Sequence, residues 1–295
     1  MSVPHPLSAA ALFNLKNWVT VVTGGGTGLG LMIAQTLAAN GAKVYITGRR
    51  ADVLETSARI HGSVDKLGGD GGAIVPLPMD VTDKESIKKA VAEIEGREGY
   101  VNVLVNNAGD WRGRPNAIPA DGPEAFGAAM FAQEMEENWQ KTFLINATAP
   151  YFVSAAFLPL LAKAADSPVG KPGNIIMNSS VSGLLRHTQR SQVSYNSSKG
   201  AAVQLTRLLA FDFSHEKINI RVNGLATGYF PSELTTAGSN DENESTYNVD
   251  EFRAFMESLG TKVVKRMGTA RDLASGWMSW PRFANMRPGR AHACY

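Results

Sequence analysis

The chain contains one cysteine in 295 residues, Cys294, next to the last position. A lone thiol excludes an internal disulfide framework and fits a reducing compartment. Charge is sparse and balanced: 29 basic and 27 acidic side chains leave a net charge of +2, and Lys and Arg form no cluster. So small an excess points to neither a nucleic-acid partner nor an anionic membrane. No uninterrupted apolar run approaches the roughly 20 residues of a membrane helix. Met1 to Leu15 lacks a basic stretch followed by an apolar one, so a secretory leader is not expected. The five histidines are scattered without metal-ligand spacing, and the Gly-x-Ser-x-Gly turn of serine hydrolases is missing. What is present is apolar bulk: 44% hydrophobic residues fill one large α/β core or two small ones. The expectation is a globular, cytoplasmic protein without a metal.

Trp18 to Thr23 is a short β-branched apolar run that ends in glycines, which suits a buried parallel strand. Gly24, Gly25, Gly26, Thr27, Gly28, Leu29 and Gly30 follow, and Leu31 to Asn40 reads as a helix stopped by Gly41. Between a strand and a helix, such glycines let the backbone approach a pyrophosphate, while the helix start offers free N–H groups. No Gly-Lys-Ser/Thr follows, which excludes a P-loop. A second strand, Lys43 to Thr47, ends at Gly48, Arg49 and Arg50. In a dinucleotide fold an acid at this strand end would bond the ribose 2′-hydroxyl. Here that acid is missing, and two arginines stand ready for a 2′-phosphate. This favours NADP(H); the alternative is a pair of solvated arginines at a helix start.

The pattern then repeats. Ala51 to Lys66 reads as a helix weakened by Gly62, Ala73 to Met79 as a third strand, and Val101 to Asn106 as a fourth. Asp83 to Glu98 lies between them as a helix, with Thr82 the expected N-cap. Asp80 and Val81 close the third strand; Asp80 is either an acceptor for an adenine amino group or a turn cap. Four strands alternating with helices predict an α/β, doubly wound parallel sheet with ligands outside the strands' carboxyl ends. Asp110 to Phe131 reads as a long loop, functional or mobile, and Glu134 to Lys163 as a long helix with Asn146 in its middle. Gly173 to Asn178 and Ile218 to Asn223 are the fifth and sixth strands. Tyr195 to Phe213 has helical spacing, which places Tyr195 and Lys199 on one face. A free phenol ionises near pH ~10. A fixed ammonium beside it favours the phenolate, which makes Tyr195 a usable acid and base near neutrality.

Taken in order, Thr23-Gly24-x-x-x-Gly28-x-Gly30, Asp80-Val81, Asn106-Asn107-Ala108-Gly109, Asn146, Ser180 and Tyr195-x-x-x-Lys199 resemble a classical short-chain dehydrogenase/reductase over residues 15 to 275. The resemblance implies a Rossmann-type fold with helices on both faces of the sheet. It implies an NADP(H)-dependent oxidoreductase that interconverts a ketone and a secondary alcohol, similar to 3-oxoacyl reductases or to carbonyl reductases of secondary metabolism. Ser180 would polarise the substrate carbonyl, and Tyr195 would pass it a proton. Lys199 would lower the Tyr195 pKa and hold the nicotinamide ribose, and Asn146 would anchor a water path ending near Lys199. Ser180 is preferred to Ser179 because the family's serine precedes an x-small-Gly turn, here Val181, Ser182 and Gly183. Cofactor contacts are implied for Gly24, Thr27, Gly28, Leu29, Gly30, Arg49, Arg50, Asp80, Val81, Asn107, Ala108, Gly109, Tyr195, Lys199, Thr227, Gly228 and Ser232. A homodimer or homotetramer is implied as well.

The chain departs from the family in three places. Thr227-Gly228 replaces a usual Pro-Gly, and Ser232 stands where a Thr often faces the cofactor. Thr235 to Asn248 is polar and acidic, expected as a solvated loop or a mobile lid over the substrate. The end, with Pro281 and Pro288, has no β-branched run, so the last edge strand is expected to be missing. The expected organisation is an extension over 1–15, one domain over 16–279 with substrate loops near 110–131 and 229–260, and an atypical tail over 280–295. A nucleotide-binding protein of the same fold without turnover, spoiled by Thr227 and the tail, is the alternative.

Overall fold

The computed structural model describes residues 5, 7–69, 71–236, 238–260, 266–279 and 293–294. The chain alternates strands and helices from β1 (Val19–Thr23) through α1 (Gly28–Ala39), β2 (Lys43–Gly48), α2 (Ala51–His61), β3 (Ala73–Pro78), α3 (Lys84–Glu98) and β4 (Val103–Asn106). There follow α4 (Pro123–Phe131), α5 (Ala149–Ala162), β5 (Asn174–Asn178), α6 (Val193–Asp212) and β6 (Arg221–Leu225). Helices α7 (Val249–Ser258) and α8 (Ala270–Ser279) precede β7 (Ala293–Cys294). The strands form one parallel sheet in the order β3-β2-β1-β4-β5-β6-β7. The order reverses between β1 and β4, and a cleft opens there beyond the strands' carboxyl ends.

Successive strand residues face opposite ways, and two cores result. Tyr45, Leu104, Ile175 and Met177 pack on one face against Ile87 and Ile94 of α3, Val153 and Phe157 of α5, and Leu209 of α6. Their neighbours Val44, Ile46, Val103, Val105 and Ile176 pack on the other against Ile33, Ala34 and Leu37 of α1. Burial on both faces explains why the strands read as continuous apolar runs.

Several expectations are corrected. The edge position beyond β6 is occupied: Ala293 and Cys294 pair in parallel with Gly224 and Leu225, so a two-residue seventh strand is present. The rest of the tail, with Pro281 and Pro288, lies outside the described residues. The stretch 110–131 is not loop throughout, since α4 occupies its end with no buried residue. Gly62 does more than weaken its helix; it ends α2, and Val64–Leu67 forms a separate turn. The cap of α3 is Asp83, whose side chain accepts from Glu85 N, one residue beyond Thr82.

The long helical stretch before β5 is irregular. Two π-helical segments, Met135–Gln140 and Leu144–Thr148, precede α5. The second lies just ahead of Pro150, which has no N–H to give the Asn146 carbonyl four residues back, so an α-helical ladder cannot close there. Met135–Asp166 is long and apolar enough by composition to cross a membrane. However, Val153, Phe157, Leu160 and Leu161 are buried in the core, which accounts for the hydropathy.

Candidate active site

A seam of side-chain hydrogen bonds fixes the strand ends. Thr23 Oγ1 accepts from the backbone N–H groups of Asn107 (2.9 Å) and Ala108 (3.0 Å). Asn107 Nδ2 returns to the carbonyl oxygens of Thr23 (2.9 Å) and Gly24 (3.2 Å). Asn178 Nδ2 donates to Asn107 Oδ1 at 2.8 Å, and Thr227 Oγ1 donates to Asn178 Oδ1 at 3.3 Å. The ends of β1, β4, β5 and the segment after β6 are thereby locked in one row. The glycine turn is packed to its limit: a Cβ on Gly30 would lie 2.0 Å from the Gly24 carbonyl oxygen, so the helix start and the loop touch only because Gly30 has none.

A groove of about 720 Å³ runs along this row. Gly24, Thr27, Gly28, Leu29, Gly30, Arg49, Arg50, Asp80, Val81, Asn107, Ala108 and Gly109 line it together with Ser232, which packs on Gly28, and Ser180, Tyr195, Lys199, Thr227 and Gly228 stand at its other end. Its donor set fits a nicotinamide dinucleotide. Helix α1 has no side-chain cap and no acid in its first turn, so its leading N–H groups face the groove as an anion site. Arg49 and Arg50 lie beyond them. The Asp80 carboxylate accepts from Thr82 N (2.9 Å) and Thr82 Oγ1 (2.7 Å), so it caps its turn while standing on the groove wall. Asn107 is different: its amide is spent on the seam and shapes the groove from behind.

Ser180, Tyr195 and Lys199 come together where this groove meets a second cavity. Tyr195 and Lys199 project from α6 and Ser180 from the turn after β5. The Ser180 hydroxyl hydrogen-bonds the Tyr195 phenol, while Ser179 Oγ is committed to the Lys199 carbonyl at 3.2 Å. Lys199 Nζ lies 5.8 Å from the centre of the Tyr195 ring and donates to the Asn178 carbonyl at 3.3 Å. Electrostatics here differ from the expectation of a phenol made acidic by its amine. Burial pushes Tyr195 up to about 12, against the pull of the Ser180 hydrogen bond. Burial also pushes Lys199 down to about 8, which still leaves it mostly charged at neutral pH. The arrangement thus holds a neutral phenol beside a serine hydroxyl, with a cation behind: a set suited to giving a proton to a carbonyl oxygen.

Asn146 does not line the groove. It is buried in the π-helical segment, and its amide bonds the backbone of Asp110 and Ser198 Oγ (3.0 Å). Ser198 Oγ in turn donates to the Tyr195 carbonyl at 2.8 Å, so Asn146 braces the helix that carries the phenol. Its side chain is a clamp on the strand-end loop.

The second cavity, about 450 Å³, opens from Ser180 and Tyr195. Tyr229 packs edge-on against Phe252 and Phe255, ring centres 5.7 Å apart in both pairs, and forms one wall. Gln189 gives it a polar corner, donating to Tyr229 Oη at 2.7 Å and accepting from Ser182 Oγ at 2.8 Å. Sequence reading missed Gln189: it begins a left-handed run, φ 47°, 68° and 66° at Gln189, Arg190 and Ser191, with no glycine to signal it. The segment Thr235 to Asn248 does not simply cover the substrate side. Thr246 to Asn248 lines the cavity, but Glu242 and Asn243 dock on α2.

The short chain dehydrogenase family model matches residues 18–243. The chain belongs to the short-chain dehydrogenase/reductase family. Its short-chain dehydrogenase/reductase relatives include PhomF′ of Diaporthe leptostromiformis, 37% identical over 243 residues, with 79% of this chain and 77% of that protein covered. The rhamnolipids biosynthesis 3-oxoacyl-[acyl-carrier-protein] reductase of Pseudomonas aeruginosa is 31% identical over 231 residues, covering 78% of this chain and 79% of that one. Among solved structures, the Pseudomonas aeruginosa RhlG/NADP active-site complex superposes with a TM-score of 0.72 at 26% identity, covering 98% and 97% of the two chains. Membership of the family makes this short-chain dehydrogenase/reductase an oxidoreductase that acts on CH–OH or C=O groups.

Proposed function

We propose that the protein is an NADP(H)-dependent reductase that converts a ketone into a secondary alcohol, with Tyr195 as proton donor. The observation that carries this is the position of Ser180 and Tyr195, which line both the dinucleotide groove and the aromatic-walled cavity. A carbonyl placed between their hydroxyls is held at the boundary of the two. When bound, the nicotinamide supplies the hydride. Ser180 bonds the carbonyl oxygen and polarises it. Tyr195, kept neutral by burial, gives its proton to that oxygen as negative charge develops. Lys199, 5.8 Å from the centre of the Tyr195 ring, stabilises the phenolate left behind and, as a lining residue of the groove, would hold ribose hydroxyls. Arg49 and Arg50, with no acid at the end of β2, support NADP(H) over NAD(H).

The cavity supports a medium-sized apolar substrate, aromatic or acyl, carrying a polar group for Gln189. We also assign a homo-oligomer contact to the outer faces of α5 and α6, where Tyr151, Leu208 and Phe211 are 46%, 55% and 72% exposed. The cytoplasm is the proposed compartment. The test is NADPH oxidation with a panel of aromatic ketones and 3-oxoacyl thioesters, run beside NADH. Turnover with at least one ketone and a preference for NADPH supports the reading. Tight NADPH binding with no oxidation by any ketone would instead favour a binding protein without turnover.

A further inference from the structure

Arg50 Nη2 donates to Glu233 Oε2 at 2.7 Å, although the two residues stand 183 apart in the chain. Both line the groove at its Arg49 end. Glu233 arrives there from the segment after β6, on the opposite bank. That segment is held in place: Ser232 Cβ would lie 2.7 Å from a Cβ on Gly28, so it rests directly on the glycine turn. Further along, Asn243 Nδ2 donates to the Val53 carbonyl (3.0 Å) and Ser57 Oγ (2.8 Å) of α2. His61 Nε2 donates to the Glu242 carbonyl at 2.7 Å. Residues 232–236 and 238–244 therefore form a clasp across the groove, with a carboxylate at the point where β2 lacks one.

We propose that Glu233 is a cofactor-discriminating residue, which replaces the missing strand-end acid and opposes a 2′-phosphate. The proposal rests on the dinucleotide reading for the location of the ribose. A carboxylate accepts a hydrogen bond from a 2′-hydroxyl. Toward a 2′-phosphate it does the reverse, since a phosphate monoester carries a charge of about −1.5 to −2 and prefers the same guanidinium. The pair is easily exchanged, because the Arg50 and Glu233 side chains are 56% and 37% exposed. Glu233 thus lowers the preference that Arg49 and Arg50 create.

Dissociation constants for NADPH and NADH, read by cofactor fluorescence at one low ionic strength, test this on wild type, Glu233→Gln, Glu233→Lys and Arg50→Gln. NADPH should tighten roughly three- to tenfold in Glu233→Gln and further in Glu233→Lys, while NADH stays level or weakens. That graded order separates charge from local damage, which would weaken both nucleotides together. An unchanged ratio of the two constants in both Glu233 variants, or equal loss of both nucleotides, overturns the proposal. The NADP(H) reading fails separately, by a wild type that prefers NADH and an Arg50→Gln variant that changes nothing.

Discussion

Asn146 and the backbone of Asp110 exchange two hydrogen bonds: Asp110 N donates to Asn146 Oδ1 at 2.9 Å, and Asn146 Nδ2 donates to the Asp110 carbonyl at 2.8 Å. The pairing closes against Gly109, where a Cβ would come 3.0 Å from Asn146 Oδ1 and 3.2 Å from Lys199 Nζ. Loop, helix brace and lysine thus converge on one residue that has no side chain.

Asn146→Ala removes both bonds and a third to Ser198 in a buried setting. It should cost about 1–3 kcal/mol of stability, measured by urea unfolding. Asn146→Asp keeps the acceptor and loses the donor, and should be no more stable than the alanine variant. An unfolding midpoint equal to wild type in both would show that the clamp contributes nothing.

The pH dependence follows from two groups of opposite sign. The neutral phenol of Tyr195 persists below about 12, so proton donation is not limited by its ionisation. The Lys199 ammonium is present below about 8 and is lost above it. Ketone reduction should therefore be flat through neutrality and fall as pH rises past about 8. Alcohol oxidation needs the phenolate together with the ammonium, so it should rise up to about 8 and level off above it. A reduction rate that climbs with pH would contradict the assignment.

Lys199 is costly to the fold. Its pKa lies below the ordinary lysine value, so the unfolded chain binds the proton more tightly. The stability this group contributes is present above pH ~10.5 and is lost as pH falls through about 8. At neutral pH the charged form is held against a penalty on the order of 3 kcal/mol. Lys199→Met should raise the unfolding free energy by about 1–3 kcal/mol and abolish turnover. Calorimetry alongside activity checks both halves, and a destabilised variant would refute the penalty.

What the sequence made legible was whatever is written locally. The apolar runs of β1, β2, β4 and β5, the glycine turn and the spacing of Tyr195 and Lys199 are all read from neighbours within one element. What it concealed depends on tertiary packing. Arg50 and Glu233 meet from opposite banks of the groove. Gln189 sits in a left-handed conformation and is bonded to Ser182, Tyr229 and Gln192, contacts that only the folded chain brings together. The Tyr195 pKa rises because burial outweighs the Ser180 hydrogen bond, and burial is not encoded in any four-residue spacing. The two-residue β7 is too short for a periodicity to reveal.

The central claim is that the Tyr195 hydroxyl delivers the proton. Tyr195→Phe removes that oxygen and leaves the ring, the groove and Lys199 in place. With the best ketone at saturating NADPH, kcat should fall by about 10²- to 10⁴-fold while the NADPH dissociation constant changes by less than about threefold. A variant that reduces the ketone at near the wild-type rate would contradict the account.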